Sequence, residues 1–350
     1  MRFDPPRCPS EACTQHARPV GRFFERRGSY RCRGRAEPVP RFRCRSCNKT
    51  FSRQTFRHDY RDRRPDCNER LFLLLTSGVG LRQCGRVLQL DIHSVVKKKR
   101  KMARTCGFLH ERLSGRLPAE RTYLLDEEET YECASIRPLT MPVLIEKDTW
   151  FVVATAVGPI RRLAPPGTAR RRRQDLDELR HGRRPDHSRR CVRAVLHRLR
   201  ARTGDGRIVL RTDQKASYGR IATQVFGDRL LHETTAGTLV RATHNPLFPI
   251  NTTLAMTRDN CGRLRRRSWL VSKRADRLQE HLAIFTAYRN YVRRRFNRDA
   301  SHQCPAWFLR LLPRALAPPE VLAWRQDWGE RSIHPTSCRG ETTAVRQESA

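Results

Sequence analysis

Apolar positions along this chain change their period from the N-terminus onward, and the period divides the chain into segments. Up to residue 60 they come in short strand-like pieces. Phe23-Phe24, Tyr30, and Val39 to Phe42, with a turn at Gly28, predict a hairpin. From 66 to 104 the spacing turns helical. Leu71, Leu74 and Leu75 stripe a helix from Asn68 to Ser77, Gly78-Val79-Gly80 breaks it, and Leu81, Cys84, Val87 and Leu88 fall on one face of a second helix. Leu90 to Ser94 then predicts a turn, with Ser94 as the N-cap of a further helix.

Between 118 and 300 strands and helices alternate. Arg121 to Leu125 predicts a short strand ending on Asp126. Met141 to Ile145 and Trp150 to Val157 predict two more, and the second is apolar enough to be central. Arg190 to Arg202 predicts a helix with Cys191, Val195, Leu196 and Leu199 inward, and Arg207 to Thr212 a strand ending on Asp213. Ala164 to Arg190, with Pro165-Pro166-Gly167 and Arg170 to Arg173, predicts an exposed arginine-rich loop over 164–190. Residues 301–350 predict a proline-punctuated helical tail, disordered after about Gly340. The expected domains are thus 1–60, 66–104 and 118–300 plus this tail, and the expected class is α/β (α+β).

Charge changes the picture from a fold to a partner. Of 350 residues, 72 are Lys or Arg and 35 are Asp or Glu, a net +37. Arginine-rich coding explains a preference for Arg over Lys but not a two-fold excess of base over acid. Such self-repulsion speaks against an enzyme of small neutral metabolites and for a polyanionic partner, nucleic acid above all. Residues 1–20 contain no apolar segment of the secretory kind, and apolar runs such as Leu71–Leu75 are far shorter than a membrane span. The 13 cysteines are therefore expected in a reducing compartment, where paired spacing means metal.

Two pairs have that spacing. Cys8 and Cys13 form C-x4-C, Cys44 and Cys47 form C-x2-C, and the predicted hairpin lies between them. Two such knuckles supply the four thiolates of a structural Zn2+ ribbon, which gives folding energy to a module too small to fold alone. Cys32 and His16 have no knuckle partner, and the remaining cysteines read as small core residues. Arg31, Arg33, Arg35, Arg41, Arg43 and Arg45 interleave with Tyr30 and Phe42, a pattern suited to phosphates. In 66–104, the basic run Lys97, Lys98, Lys99, Arg100, Lys101 follows the predicted cap. Helix, short turn and basic helix predict a helix-turn-helix on DNA, whose cations position the protein without specifying sequence.

In so basic a chain, acid needs a reason. Asp126 opens the run Asp126-Glu127-Glu128-Glu129, with Glu132 just beyond, and Asp213 ends a second predicted strand. Two carboxylates at neighbouring strand ends of one mixed sheet suit Mg2+ or Mn2+, hard ions that activate an attacking oxygen and stabilise a leaving one.

With VPRFRCRSCNKTFSRQTF (39–56), LLDEEETYE (124–132), LRTDQKASY (210–218) and INTTLAMTRDNCGRLRRRSWLVSK (250–273) in view, residues 8–300 resemble bacterial insertion-sequence transposases of the insertion-element-one type. The resemblance implies a zinc ribbon, a helix-turn-helix and an RNase H-like mixed sheet flanked by helices. It implies metal-dependent cleavage and strand transfer at element ends, with Asp126 and Asp213 as the catalytic aspartates. Asn251 stands where the family has a glutamate, and a neutral amide oxygen brings no charge and no base. Three readings stay open: Asn251 works as the third ligand, another acid such as Glu233 or Asp259 serves, or the copy is inactive. The resemblance further implies transposon-end DNA along a basic helix bearing Arg258, Arg263, Arg265, Arg266, Arg267 and Lys273, with Leu264 and Trp269 facing the core. Partners would be double-stranded DNA, at element ends and target, in a homodimer or larger synaptic assembly in the bacterial cytoplasm at the nucleoid. The alternatives are a DNA-binding regulator that does not cut and an RNA-binding ribbon protein.

Overall fold

The computed structural model describes residues 4–31, 37–57, 59–240, 242–265 and 269–324. The expected tail beyond Gly340, and Cys32, Arg33, Arg35, Arg266 and Arg267, lie outside them. The chain divides into two compact units, Met1–Asp66 with Leu322–Ala350, and Cys67–Val321.

The first unit holds the short helix α1 (Thr14–Ala17) and an antiparallel sheet of β1 (Phe24–Tyr30), β2 (Val39–Cys44) and β3 (Thr50–Ser52), in the order β1-β2-β3. Phe23, Phe24, Phe42, Phe51 and Phe56 pack with three of the cysteines into a small core of stacked and edge-on rings. Gly28 is not the hairpin turn. It lies inside β1 with φ +66°, where the register shifts between Arg26 and Ser29. A glycine that supplies a left-handed residue inside a strand marks a bulge, not a chain reversal.

The second unit opens with helices α2 (Asn68–Leu75), α3 (Leu81–Leu88) and α4 (Ile92–Leu113). The expected helix, turn and helix are present, with two differences. The α4 cap is Asp91, whose carboxylate accepts from the Ser94 amide at 3.0 Å. Asp91, the second residue of LDIHS, accepts the kind of first-turn amide hydrogen that the Ser94 hydroxyl was expected to take. Val87, expected on the inner face of α3, is 64% exposed.

Next comes a mixed sheet in the order β6-β5-β4-β8-β9, with β7 (Gly158–Pro159) pairing with β5 as well. Its strands are β4 (Thr122–Tyr131), β5 (Pro138–Glu146), β6 (Val152–Thr155), β8 (Ile208–Asp213) and β9 (Leu230–Thr235). The first three are antiparallel neighbours, and β8 and β9 run parallel to β4. This is the RNase H-like arrangement. The connection from β7 to β8 carries α5 (Ala169–His181) and α6 (Ser188–Thr203), and α7 (Ala216–Phe226) links β8 to β9. On one face, α8 (Phe248–Asn260) and α9 (Ala275–Tyr291) bury Ile250, Leu254, Leu278, Leu282 and Phe285 against Leu124 and alternate residues of β5. On the other, Ser188 of α6 and Tyr218 of α7 bond to Glu127. Covered on both faces, β5 is buried over its whole length. The short helices α10 (Pro305–Phe308) and α11 (Pro318–Ala323) follow α9.

Three further expectations change. The strand within Trp150–Val157 is at the edge of the sheet, not its centre. It is apolar because side chains replace the missing strand: Asn290 of α9 accepts from the Val152 amide and donates to its carbonyl, both at 2.8 Å, and His110 and Arg202 donate to the Val153 carbonyl. An edge sealed in this way needs no polar face. The segment 164–190 is built around α5, capped by Thr168, rather than being a loop. Arg137 grips Asp177, and Arg161 grips Glu178, so those arginines anchor a helix. The basic stretch from Arg258 is not one helix. Helix α8 ends at Asn260, a single 3-10 turn covers Gly262–Leu264, and α9 starts only at Ala275.

Candidate active site and metal centre

In the first unit the two knuckles converge. The sulfurs of Cys8, Cys13, Cys44 and Cys47 all lie within 4.8 Å of one another. Cys8 stands 3.5 Å from Cys47, and Cys13 stands 3.8 Å from Cys44. Four sulfurs at about 2.3 Å from one tetrahedral ion would be roughly 3.8 Å apart, so the donor set and spacing fit zinc. Burial raises the Cys8 and Cys13 thiols. Burial acts upward on Cys44 too, yet amide hydrogens of Cys47 and Ser46 bring it down to about 7. His16 lies outside this group, its Nδ1 bonded to the Cys8 carbonyl at 2.7 Å. Of the ribbon arginines, Arg43 pairs with Glu25 and Arg41 stacks over Tyr30, while Arg31 and Arg45 are exposed. Elsewhere, Cys67, Cys84, Cys106, Cys191, Cys261 and Cys304 are buried as expected of core residues, and Cys133 is exposed.

In the second unit, β4 is longer than the sequence suggested, and Asp126 lies in its middle rather than at its end. The reason is asymmetric pairing. On one side β5 holds β4 all the way to Tyr131, whereas on the other β8 pairs only over Thr122–Leu124. The strand therefore continues beyond its last pairing with β8, and Asp126 lies past that point. Leu124 faces Arg211 in that register. Two residues further along each strand, past this last paired position, come Asp126 and Asp213. Both line one open cavity of about 550 Å3, together with Glu128, Asn251, Leu254 and Arg258. Asp126 Oδ1 accepts from the Glu127 amide at 2.7 Å, and Asp213 Oδ1 accepts from the Lys215 amide at 3.0 Å, so local backbone bonds orient each carboxylate.

Alternation along β4 sorts the other acids. Glu127 has only 6% of its side chain exposed. It accepts from Thr140 at 2.6 Å, Tyr218 at 2.8 Å, Ser188 at 2.9 Å and from the Lys215 ammonium. Burial would raise its pKa, but these donors and the Lys215 charge outweigh burial and hold it below the usual glutamate value. Burial, and then the negative charge of Glu127, raise the Tyr218 phenol. Glu128 shares the strand face of Asp126, is 5% exposed, and pairs with Arg258 of α8 at 2.5 Å. Glu129 meets Arg162 near the surface. The sequence reading passed over Glu128, although a period of two from Asp126 marks it.

Helix α8 brings Asn251 and Arg258 to the same cavity, seven residues apart on one stripe. Neither alternative acid lines it: Glu233 is bonded to Arg211 on the adjoining strand, and Asp259 is exposed on α8. The donors lining it are the carboxylates of Asp126 and Asp213 and the amide oxygen of Asn251, with Glu128 committed to Arg258. These are hard oxygen donors of the chemical kind that Mg2+ or Mn2+ takes, although among the described residues the four cysteines are the group of three or more ligating side chains that converges.

The basic run on α4 divides. Lys98 is buried and donates to Asn68 Oδ1 at 2.9 Å. Lys99 is 1% exposed and donates to the Arg277 carbonyl at 2.9 Å and to Glu280 at 2.8 Å. Burial, with Arg263 nearby, lowers its pKa to about 8 against the pull of Glu280. Expected to meet DNA, these two lysines instead tie α4 to α2 and α9. Lys97 and Arg100 are exposed, and Lys101 is half-buried. Of the other expected DNA contacts, Arg258 is tied to Glu128, Arg263 is half-buried and close to the buried Ser272 hydroxyl, Lys273 is exposed, and Arg266 lies outside the described residues. Leu264 is buried, but Trp269 faces away from the core and is 98% exposed. Among the described residues no helix is long and apolar enough to cross a membrane.

No family model and no curated protein matches the chain. Among solved structures, it is similar to a chain in the crystal structure of the Mos1 mariner paired end complex with Mn. The identity is 12% and the TM-score 0.20, over 60% of this chain and 72% of that one, a likeness too low to bear on fold or site.

Proposed function

We propose that this chain is a DNA transposase that cuts element ends and joins them to target DNA by metal-dependent phosphoryl transfer. The observation that carries the reading is that Asp126 of β4 and Asp213 of the adjacent strand β8 both line one open cavity of a chain with net charge +37. Asp126 and Asp213 would hold Mg2+ or Mn2+, with the Asn251 oxygen completing the set. Bound ions of this kind supply the charge that activates an attacking oxygen and stabilises a leaving one. The chain's own part is orientation. The Glu127 and Lys215 amides aim the two carboxylates, and Arg258 balances Glu128 beside them. Because Asn251 brings no negative charge, the set binds ions less tightly than three carboxylates would. Zn2+ on Cys8, Cys13, Cys44 and Cys47 would hold the ribbon together, and α3 and α4 would dock on the duplex.

The test is Mg2+- or Mn2+-dependent nicking of DNA carrying the element end. Asp126→Ala and Asp213→Ala each take the activity to background while duplex binding persists. Cleavage that survives both substitutions overturns the reading. The second reading, a DNA-binding relic or regulator, is favoured by Asn251 alone. It predicts duplex binding with no nicking in the native chain at any Mn2+ concentration.

A further inference from the structure

The pairing of β4 with β8 ends at Leu124 and Arg211, two residues short of Asp126 and Asp213. Ladder bonds set the separation of the two strands up to that point, and both carboxylates stand beyond it. Their like charges repel, so the gap needs another constraint. The neighbours of the two aspartates supply one. Glu127 follows Asp126, and its amide donates to Asp126 Oδ1 at 2.7 Å. Lys215, the N-cap residue of α7, donates from its amide to Asp213 Oδ1 at 3.0 Å. The ammonium of the same Lys215 donates to the carboxylate of the same Glu127. A continuous path of bonds therefore joins one aspartate to the other through the Glu127–Lys215 ion pair.

The pair is itself held firmly. Glu127 accepts from Thr140 of β5, Ser188 of α6 and Tyr218 of α7. Lys215 has Ser188 as a second acceptor at 3.2 Å, and its ammonium lies 5.1 Å from the centre of the Tyr218 ring. The charges of Asp126 and Asp213 both act on the Tyr218 phenol, so this cluster is within electrostatic reach of both carboxylates. Alternation along β4 turns the Glu127 side chain to the opposite side from Asp126, and the pair acts from behind that carboxylate. We propose that the Glu127–Lys215 ion pair is a brace that sets the spacing of Asp126 and Asp213, with Lys215 as a positioning residue for the divalent ion they hold. The inference rests on the reading of the two aspartates as metal ligands, and its readout is metal affinity rather than cleavage.

Bare charge and bracing predict opposite signs. Removing a cation close to a divalent ion should tighten the ion, whereas releasing a brace lets the two carboxylates drift and loosens it. The experiment measures Mn2+ binding to the full, Zn2+-loaded chain without DNA, by electron paramagnetic resonance of the free ion. Lys215→Met keeps the amide that bonds Asp213 and removes the ammonium, and it is expected to weaken Mn2+ about tenfold or more. Lys215→Arg, which keeps the charge, restores most of that loss. Thr140→Val removes a different donor to Glu127 but leaves the ion pair. It is expected to lower the melting temperature and to hold Mn2+ within about twofold of the native chain. Should Lys215→Met fail to fold by circular dichroism, Lys215→Gln takes its place with the same expectation. Mn2+ bound by the folded Lys215 variant as tightly as by the native chain, or more tightly, overturns the proposal. So does an equal loss in Thr140→Val, which would make the effect a general loosening of the core. A native chain that binds no Mn2+ and makes no nick would instead sink the functional reading.

Discussion

The molecule contains two runs of like charge, and they solve the same problem with different periods. Lys97 to Lys101 lies on a helix and Asp126 to Glu129 on a strand. A run of one sign cannot face one way at close quarters without repulsion. On α4 the helical period sends Lys98 and Lys99 inward to Asn68 and Glu280 and leaves Lys97 and Arg100 outside. On β4 the period of two sends Glu127 to the face of Lys215 and Tyr218, and Asp126 and Glu128 to the cavity. In each run some members, Lys98, Lys99, Glu127 and Glu128, are tied into the packing by bonds and ion pairs, while Lys97 and Arg100 face solvent and Asp126 faces the cavity. A run of charge read from sequence is therefore not a single functional unit, and substitutions within each run should separate.

The largest separation is expected within the acidic run. Glu127→Ala leaves Lys215 without its anion and Thr140, Ser188 and Tyr218 without their acceptor. Losing one partner of a buried, hydrogen-bonded ion pair costs about 3–5 kcal/mol. Glu129→Ala, which breaks a surface pair with Arg162, should cost under about 1 kcal/mol. Chemical denaturation of the two variants checks the difference. Equal midpoints would mean that Glu127 is not the anchor its contacts describe.

The basic run should separate next. Lys99→Ala removes a buried ammonium that ties α4 to α9, but Glu280 keeps Arg277 and Arg100 as partners, so the loss is expected at about 2 kcal/mol. Thermal melts of Lys99→Ala beside Arg100→Ala measure it, and a midpoint for Lys99→Ala no lower than for Arg100→Ala would return Lys99 to the surface.

How much of this was legible follows from which signals are local. The zinc knuckles, the strand to Leu125 and the strand to Thr212 were readable, because spacing and alternation are written in neighbouring residues. Asp126 was expected at a strand end because nothing local says that β5 pairs nine residues of β4, Tyr123 to Tyr131, while β8 stops at Leu124. The edge position of β6 was hidden for a similar reason: Asn290, His110 and Arg202, which replace its missing neighbour, come from distant parts of the chain. Trp269 was assigned inward because size and hydrophobicity predict burial on average. Its 98% exposure shows otherwise. Glu128 was the one cavity residue that local periodicity could have supplied.

Buried histidines extend the comparison to pH. His110 is lowered to about 4, first by burial and then by Arg202, and His281 to about 3 by burial. Both groups are neutral in the folded chain and take up protons in the unfolded chain below 6.5. Their stabilisation is complete above pH 6.5 and is lost as pH falls toward the folded values, by about 2 kcal/mol for each at pH 5. Glu127, with a depressed pKa, acts in a lower window: its stabilisation is present above about 4.5 and is lost as pH falls below that. Melting curves at closely spaced pH values should show the first loss flattened in His281→Gln and the second unaffected by it. A single loss confined below 4.5 in the native chain would contradict the buried, neutral histidines.

The smallest effect lies at the exposed end of the basic run, and it decides whether that run is a DNA contact at all. Lys97 is exposed and leaves α4 on the solvent side. Lys97→Ala should leave stability within about 0.5 kcal/mol. If Lys97 neutralises a phosphate, the substitution weakens duplex binding evenly across sequences and lowers the slope of log affinity against log salt by about one. Lys99→Ala, measured under conditions where it stays folded, should leave that slope unchanged, because its ammonium is committed to Glu280. Identical slopes for the native chain and Lys97→Ala would move the duplex away from α4. They would leave the exposed side of α3, with Arg82 and Arg86, as the surface that meets the DNA.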